Sequence, residues 1–265
     1  MATEAELLRG ILADPDADEP RRAYMEWAAR RGDPRGDFIR VQLELAEARR
    51  RNAQVAEWGP LYRASQASLE RHGALWRQPL EQLVIEDLIY QPSFRRGFIE
   101  DVTMDAAMFE RAAPRVYALA PVRYVSLRAI VATPSALASP HLERIVSLDL
   151  SGRGVDDATI MALAGSPYAR RLTWLDVSVN KIGTTGLEAI ASSPYLRGLR
   201  FVNFVGNEAP DPTEEYGNEG EWIVSTSETE LGRELEERHG YLAWLHWPSL
   251  FRQAGGLDPD AVAPH

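Results

Sequence analysis

The chain has 265 residues, 29 basic and 39 acidic side chains, a formal net charge of −10 and no cysteine. Without thiols there are no disulfide staples, thiolate metal sites or cysteine nucleophile, which also excludes ubiquitin transfer through a catalytic cysteine. The acidic balance argues against nucleic acid or an anionic membrane as the main partner. No apolar stretch reaches the roughly 20 residues of a membrane span, acids punctuate residues 1–25 where a signal peptide would be apolar, and the cytoplasm is the expected compartment.

Residues 1–52 read as a small helical domain. Residues 4–12 have the pattern of a short amphipathic helix. Asp14 to Pro20 then forms a turn, with an acid capping the next helix and Pro20 in its first turn. That helix carries Tyr24, Met25, Glu26 and Trp27 and ends at Gly32. Asp33 caps a third helix with Pro34 at its first position, followed at helical spacing by Phe38, Val41, Gln42 and Leu45. The series Asp14, Asp16, Asp18 is not a calcium loop: Glu19 stands where that loop needs glycine and Met25 where it needs a bidentate glutamate. The run Arg49-Arg50-Arg51 suits the negative end of a helix dipole. A helical linker, or amino-terminal cap, is expected over 53–92.

From residue 93 to 208 the chain repeats. Ser139-Pro140-His141, Ser166-Pro167-Tyr168 and Ser193-Pro194-Tyr195 are spaced by 27 residues, and the same apolar pattern comes after each. Its copies are Leu142-x-x-Ile145 running into Leu148-x-Leu150, Leu172-x-x-Leu175-x-Val177-x-x-Asn180, and Leu199-x-x-Val202-x-Phe204-x-x-Asn207. A shorter copy, Val122-x-x-Val125-x-Leu127, precedes them, and Ile99-x-x-Val102-x-Met104 looks like a first, capping strand. Period-two alternation marks a strand buried on one face. The asparagines at 180 and 207 can hydrogen-bond backbone where the chain turns. Arg153 and Ile130 take the asparagine position in the two earlier copies, so the start is expected to be irregular. Residues 157–164 and 185–191 have helical period, with small Ala162, Ala164, Ala189 and Ala191 permitting close packing.

The stretch Leu172 to Asn180 followed by Ile182-Gly183-x-x-Gly186-Leu187 resembles the leucine-rich repeat, in its 27–28-residue strand-plus-helix subtype of ribonuclease inhibitor. The amino-terminal run, Ile11 to Asp16, Pro20-Arg21, Tyr24, Trp27 and Arg31 to Arg40, resembles the repeat-companion domain that heads paralogous sets of bacterial proteins. That second resemblance extends through His72-Gly73 and Trp76 to Arg95-Arg96-Gly97-Phe98. Together they imply an α/β fold: a short leucine-rich repeat solenoid with parallel strands on its concave face and helices outside, preceded by a small helical domain and closed by a carboxyl-terminal cap. The companion domain implies an interaction or organising role and brings no catalytic residues.

The segment 209–265 reads as that cap and a tail. Eleven acids and two arginines between Glu208 and Arg238 carry most of the net charge. Residues 214–221 read as a solvated loop, 222–224 as a short strand and 231–239 as a helix stopped by Gly240. The aromatic run Tyr241 to Pro248 would be an exposed apolar patch if left free, so it is expected to cover the open end of the repeats. Residues from 255 onward are expected to fray.

No metal-ligand spacing, phosphate loop or nucleophile elbow occurs. His239 and His246 lie near Glu236 and Glu237, most simply as histidines satisfied by hydrogen bonds; no cofactor or metal is expected. The informative residues are the outward positions of the strands, which stack into columns. One column reads Asp101, Tyr124, Ser147, Trp174, Phe201; the next Thr103, Ser126, Asp149, Asp176, Asn203; the third Asp105, Arg128, Ser151, Ser178, Val205. Aromatic anchors beside carboxylates characterise protein-binding surfaces. The candidate partner-binding set is therefore Tyr124, Arg128, Asp149, Trp174, Asp176, Phe201 and Asn203, facing a protein with a basic surface; alternatively the tail folds back over Trp174 and Phe201. The expected function is a non-enzymatic interaction module, with a regulatory subunit or inhibitor of an enzyme, or a hydrolase using tail carboxylates, as alternatives.

Overall fold

A computed structural model of the chain describes residues 2–51, 53–213 and 229–246 in full, and the backbone of 215–216 and 222–223. The fold is α/β, its strands mostly parallel. It divides into two compact units, the first containing residues 2–103 and 111–123 and the second 104–110 and the described residues from 124 onward.

The first unit opens with three helices whose boundaries obey local chemistry. Helix α1 (Glu4–Ala13) starts in a capping box between Thr3 and Glu6. Helix α2 (Glu19–Ala29) has Pro20 in its first turn and ends three residues before the expected Gly32, which turns the chain toward α3 at a φ of +68°. Helix α3 (Pro34–Arg50) starts where the Asp33 carboxylate accepts the Arg35 amide at 2.8 Å. Helix α4 (Val55–Arg77) and the short α5 (Glu81–Ile85) fill the linker. Residues 90–92, expected to end that linker, instead belong to strand β1 (Tyr90–Arg95), which pairs antiparallel with β2 (Phe98–Asp105). The cause is the turn between them: Arg96 and Gly97 have φ of +48° and +87°, the conformation of a tight two-residue hairpin. Only glycine fits the second position, since a Cβ there would lie 2.4 Å from Ile39 Cγ1.

Arg96 reaches from that turn into a buried ionic cluster. It donates to Glu100 at 2.7 Å, to Asp18 at 3.0 Å and to the carbonyls of Pro15 and Asp16. Arg21 of α2, wholly buried, donates to the other Glu100 oxygen at 2.7 Å. Asp18 therefore does not cap α2 through its side chain, as the sequence suggests; it accepts from Arg50 at 2.9 Å as well as from Arg96. Ile11, Tyr24, Ala28, Ile39, Leu43 and Phe98 form an apolar core cluster of this unit, while Phe38 stacks on Trp76 at 4.6 Å and meets Phe94 edge-on.

In the second unit, strands β3 (Tyr124–Arg128), β4 (Ser147–Asp149), β5 (Trp174–Asp176) and β6 (Phe201–Asn203) lie side by side in chain order, all parallel. The register joins residues 27 apart: Leu148 to Leu175 and Leu175 to Val202, while Val125 meets Leu148 after 23. Leu148, Leu150, Leu175, Val177, Val202 and Phe204 form the buried row. Between the units of this pattern run α7 (Asp157–Ala164) and α8 (Thr184–Ser192), but 3-10 turns take their place at Ile130–Ala132, Pro134–Ala138 and Pro140–Arg144. Helix α6 (Phe109–Tyr117) lies at the boundary of the two units in the chain. Asn180 works as its position suggests, accepting from the amides of Arg153 and Val155 and donating to the carbonyls of Leu150, Val177 and Ser178. Asn207 repeats this with Ile182, Val177 and Phe204.

After residue 213, backbone pairs at Glu215–Tyr216 (β7) and Trp222–Ile223 (β8) run antiparallel. Helix α9 (Glu230–His239) is capped by the Thr229 hydroxyl, which accepts from Gly232, and stops at Gly240 with a φ of +78°. Trp244 and Leu245 are buried. The rest of the acidic loop and everything from Trp247 onward, including the stretch expected to fray, lie outside the described residues.

The Glu100 cluster sets a stability test. Glu100→Gln leaves Arg21 and Arg96 buried without their shared counter-charge, and should cost on the order of 3–5 kcal/mol in denaturant unfolding. Asp18 adds an acid limb. Burial alone would raise its carboxyl, but the hydrogen bond from Arg50 and the charge of Arg96 outweigh that and hold it below the ordinary aspartate value. A folded value below the unfolded one means that its contribution is complete above the unfolded pKa and is lost as pH falls through the folded pKa, below about pH 4. Asp18→Asn should flatten the stability–pH curve in that window.

Candidate functional site

Of the three columns read from the sequence, Asp101, Thr103 and Asp105 lie on β2, Ser151, Ser178 and Val205 stand two residues past a strand end, and the other members from Tyr124 onward lie on β3 to β6. They behave differently. In the middle column Ser126, Asp149, Asp176 and Asn203 are half-buried and aligned by the strand register. Each acid is held by its own chain two residues on. Asp149 Oδ1 accepts from the Ser151 amide at 2.8 Å and its hydroxyl at 2.6 Å; Asp176 Oδ1 accepts from the Ser178 amide at 2.9 Å and its hydroxyl at 2.7 Å. Asn203 takes the Val205 amide at 3.4 Å and donates to Asp176 Oδ2 at 3.0 Å. These bonds fix the carboxylates in place, and groups already fixed lose less freedom in any contact they make.

The aromatic column corrects the expectation of solvent-facing rings. Tyr124, Trp174 and Phe201 are 3%, 8% and 2% exposed, and Trp174 stacks on Phe201 at 3.8 Å between centroids. The turn Ala243–His246, with buried Trp244, packs against β6. Apolar rings on neighbouring strands bury each other when a further apolar segment is at hand, which removes far more water than leaving them as separate anchors. In the third column Arg128 donates to Asp105 at 2.8 Å, so this arginine is tied to a carboxylate beside it.

The columns omit two residues that the structure adds. Arg153, at the position where Asn180 stands one copy later, donates to the Ser126 hydroxyl at 3.3 Å and places a second guanidinium beside the middle column. Val179 has a φ of +55° and is 66% exposed. It belongs to a fourth column, Ala129, Gly152, Val179 and Gly206, in which every member has a positive φ, from +52° to +75°. The spacing of Gly152 and Gly206, with 179 midway, is the signal in the sequence that marks this position. A β-branched residue is a true outlier in that conformation.

The histidines at the carboxyl-terminal end are engaged. His239 meets Glu188, which also takes Arg238 at 2.9 Å, and His246 meets Glu236 at 2.8 Å while stacking on Tyr241. Among the described residues, no three histidine or acidic side chains gather as a metal site would require. In comparison with known proteins, no family model matches the chain, and no curated protein or solved structure is detectably similar to it.

Two substitutions separate packing from strain. Trp174→Ala should lower stability by about 3–5 kcal/mol, as for other large buried aromatics; an unchanged melting temperature would return the ring to the surface. Val179→Asn, which tolerates the left-handed conformation, should raise stability by roughly 1 kcal/mol.

Proposed function

We propose that the chain is a non-enzymatic protein-interaction module: a repeat-companion domain followed by a short leucine-rich repeat solenoid, binding a protein with a basic surface in the cytoplasm. The reading of the repeats is supported by the 27-residue register of β4, β5 and β6 and by the asparagine ladder at 180 and 207. The reading of the amino-terminal domain is supported by where its signature residues lie, with Arg21, Tyr24, Phe38, Arg96 and Phe98 all buried. The contact set narrows to Arg128, Asp149, Asp176 and Asn203, while Tyr124, Trp174 and Phe201 serve as packed support beside them on the same strands.

The observation that carries the proposal is the middle column. Asp149 and Asp176 stand on adjacent strands, each locked by two hydrogen bonds to its own chain. A pair of like charges roughly one strand spacing apart is unfavourable in isolation and gains from a cationic partner. Such a site steers association and sets orientation more than it supplies raw affinity.

The test has two stages: capture with the intact chain from its native cells, then titration with the captured partner in purified form. Asp176→Ala should weaken binding about fivefold at low salt, the effect of roughly 1 kcal/mol. The difference from the parent chain should shrink as salt rises, by less than for a fully exposed charge, because a half-buried carboxylate is only partly screened. If Asp149→Ala and Asp176→Ala together leave the titration unchanged, the partner does not use this face.

A further inference from the structure

The first unit contains a cleft of about 390 Å³ between α2, α3 and α4. One face of α3 lines it, Arg40, Leu43, Glu44, Glu47, Ala48 and Arg51, at the three- and four-residue spacing of a single helical stripe. Met25 of α2 and Leu61 of α4 supply apolar walls, and Arg22 of α2 completes the lining. Its size and its mixture of apolar surface with a few charged groups are those of a small-molecule site rather than of a flat contact surface.

The charges show what the cleft lacks. Arg40 is paired with Glu44 at 3.0 Å, Glu47 with Arg50 at 3.0 Å, and Arg51 with Glu57. Arg22 alone in the lining has a guanidinium with no carboxylate partner among the described residues, and it is exposed. The lining as a whole carries three arginines against two glutamates. We propose that this cleft binds a small monoanion with an apolar body, the chemistry of a medium-chain or aryl carboxylate, whose head group pairs with Arg22 and whose body lies against Met25, Leu43 and Leu61. A guanidinium suits a carboxylate because its planar fork matches the two oxygens. The site is independent of the strand columns, and neither proposal requires the other.

Octanoate is the probe, titrated into the whole chain by calorimetry and by heteronuclear NMR. The expected result is saturable one-to-one binding with shifts confined to α2, α3 and α4, and affinity rising up to about fourfold per added methylene from hexanoate to decanoate. Arg22→Gln should weaken octanoate about fivefold or more and leave 1-octanol unaffected, because only the carboxylate needs the guanidinium. Met25→Glu, which puts a carboxylate where the apolar body of the ligand lies, should abolish octanoate binding; because Met25 also packs on the core, the far-ultraviolet circular dichroism of the variant is compared with the parent to show that it still folds. Non-saturable binding, shifts outside the three helices, or an Arg22→Gln variant that binds octanoate as the parent does would each overturn the proposal.

Discussion

Glu100 is the point on which the first unit turns. Its carboxylate is fully buried and divides its two oxygens between Arg21, arriving from a helix, and Arg96, arriving from a hairpin turn. A carboxylate so placed is tolerable only with both guanidiniums in position, so the geometry of each element becomes a condition for the others. The turn accepts a non-glycine residue at positive φ because Arg96 is satisfied by four groups once it is there. Gly97 comes next because the turn must press against Ile39 of α3, where its amide also meets the Gln42 side chain at 3.3 Å. Arg123 adds a third guanidinium, through Asp16 at 2.6 Å and a longer approach to Glu100 at 3.8 Å. Apolar residues supply the stabilising area; the ionic cluster specifies which arrangement they take.

The second unit solves a different problem. Each strand is only three to five residues long, too short to hold register by its own ladder. Two devices at the carboxyl end of each strand carry the register instead: a left-handed residue that turns the chain, and, after β5 and β6, an asparagine whose amide spans two neighbouring segments. Asp157 extends the same economy, accepting from the amides of Gly183 and Gly186 and so capping α8 from the preceding helix. Gly186 is required there, since a Cβ would fall 2.6 Å from that carboxylate.

How much of this is visible in the sequence depends on the range of the forces involved. The helices of residues 4–50 are legible because caps, Pro20, Pro34 and Gly32 act within one turn, and the strands because Leu175 and Val177 alternate with period two. The buried cluster is not legible. Arg21 and Glu100 are 79 residues apart, and a charged side chain reads as surface until its partner is known. Residues 90–92 do not read as strand because the positive φ of Arg96 depends on that same distant pairing. The aromatic column stands at the expected positions but not in the expected surroundings, since alternation says which way a side chain leaves the sheet and nothing of what lies beyond it. Asp149 and Asp176 are legible as a pair because the 27-residue period itself sets them side by side.

The uneven backs of the repeating units have a geometric consequence. Neighbouring strands are held near 4.8 Å by their hydrogen bonds, whereas packed α-helices sit 8–10 Å apart. A layer of α-helices such as α7 and α8 and a layer of parallel strands such as β4 and β5 thus have different natural widths, and pairing such layers favours a bowed sheet. Behind β3 the 23-residue spacing leaves only slender 3-10 turns, so that mismatch eases. The stretch before β4 therefore asks for less curvature than the stretches that carry α7 and α8, so the demand on the strands is unequal along this unit.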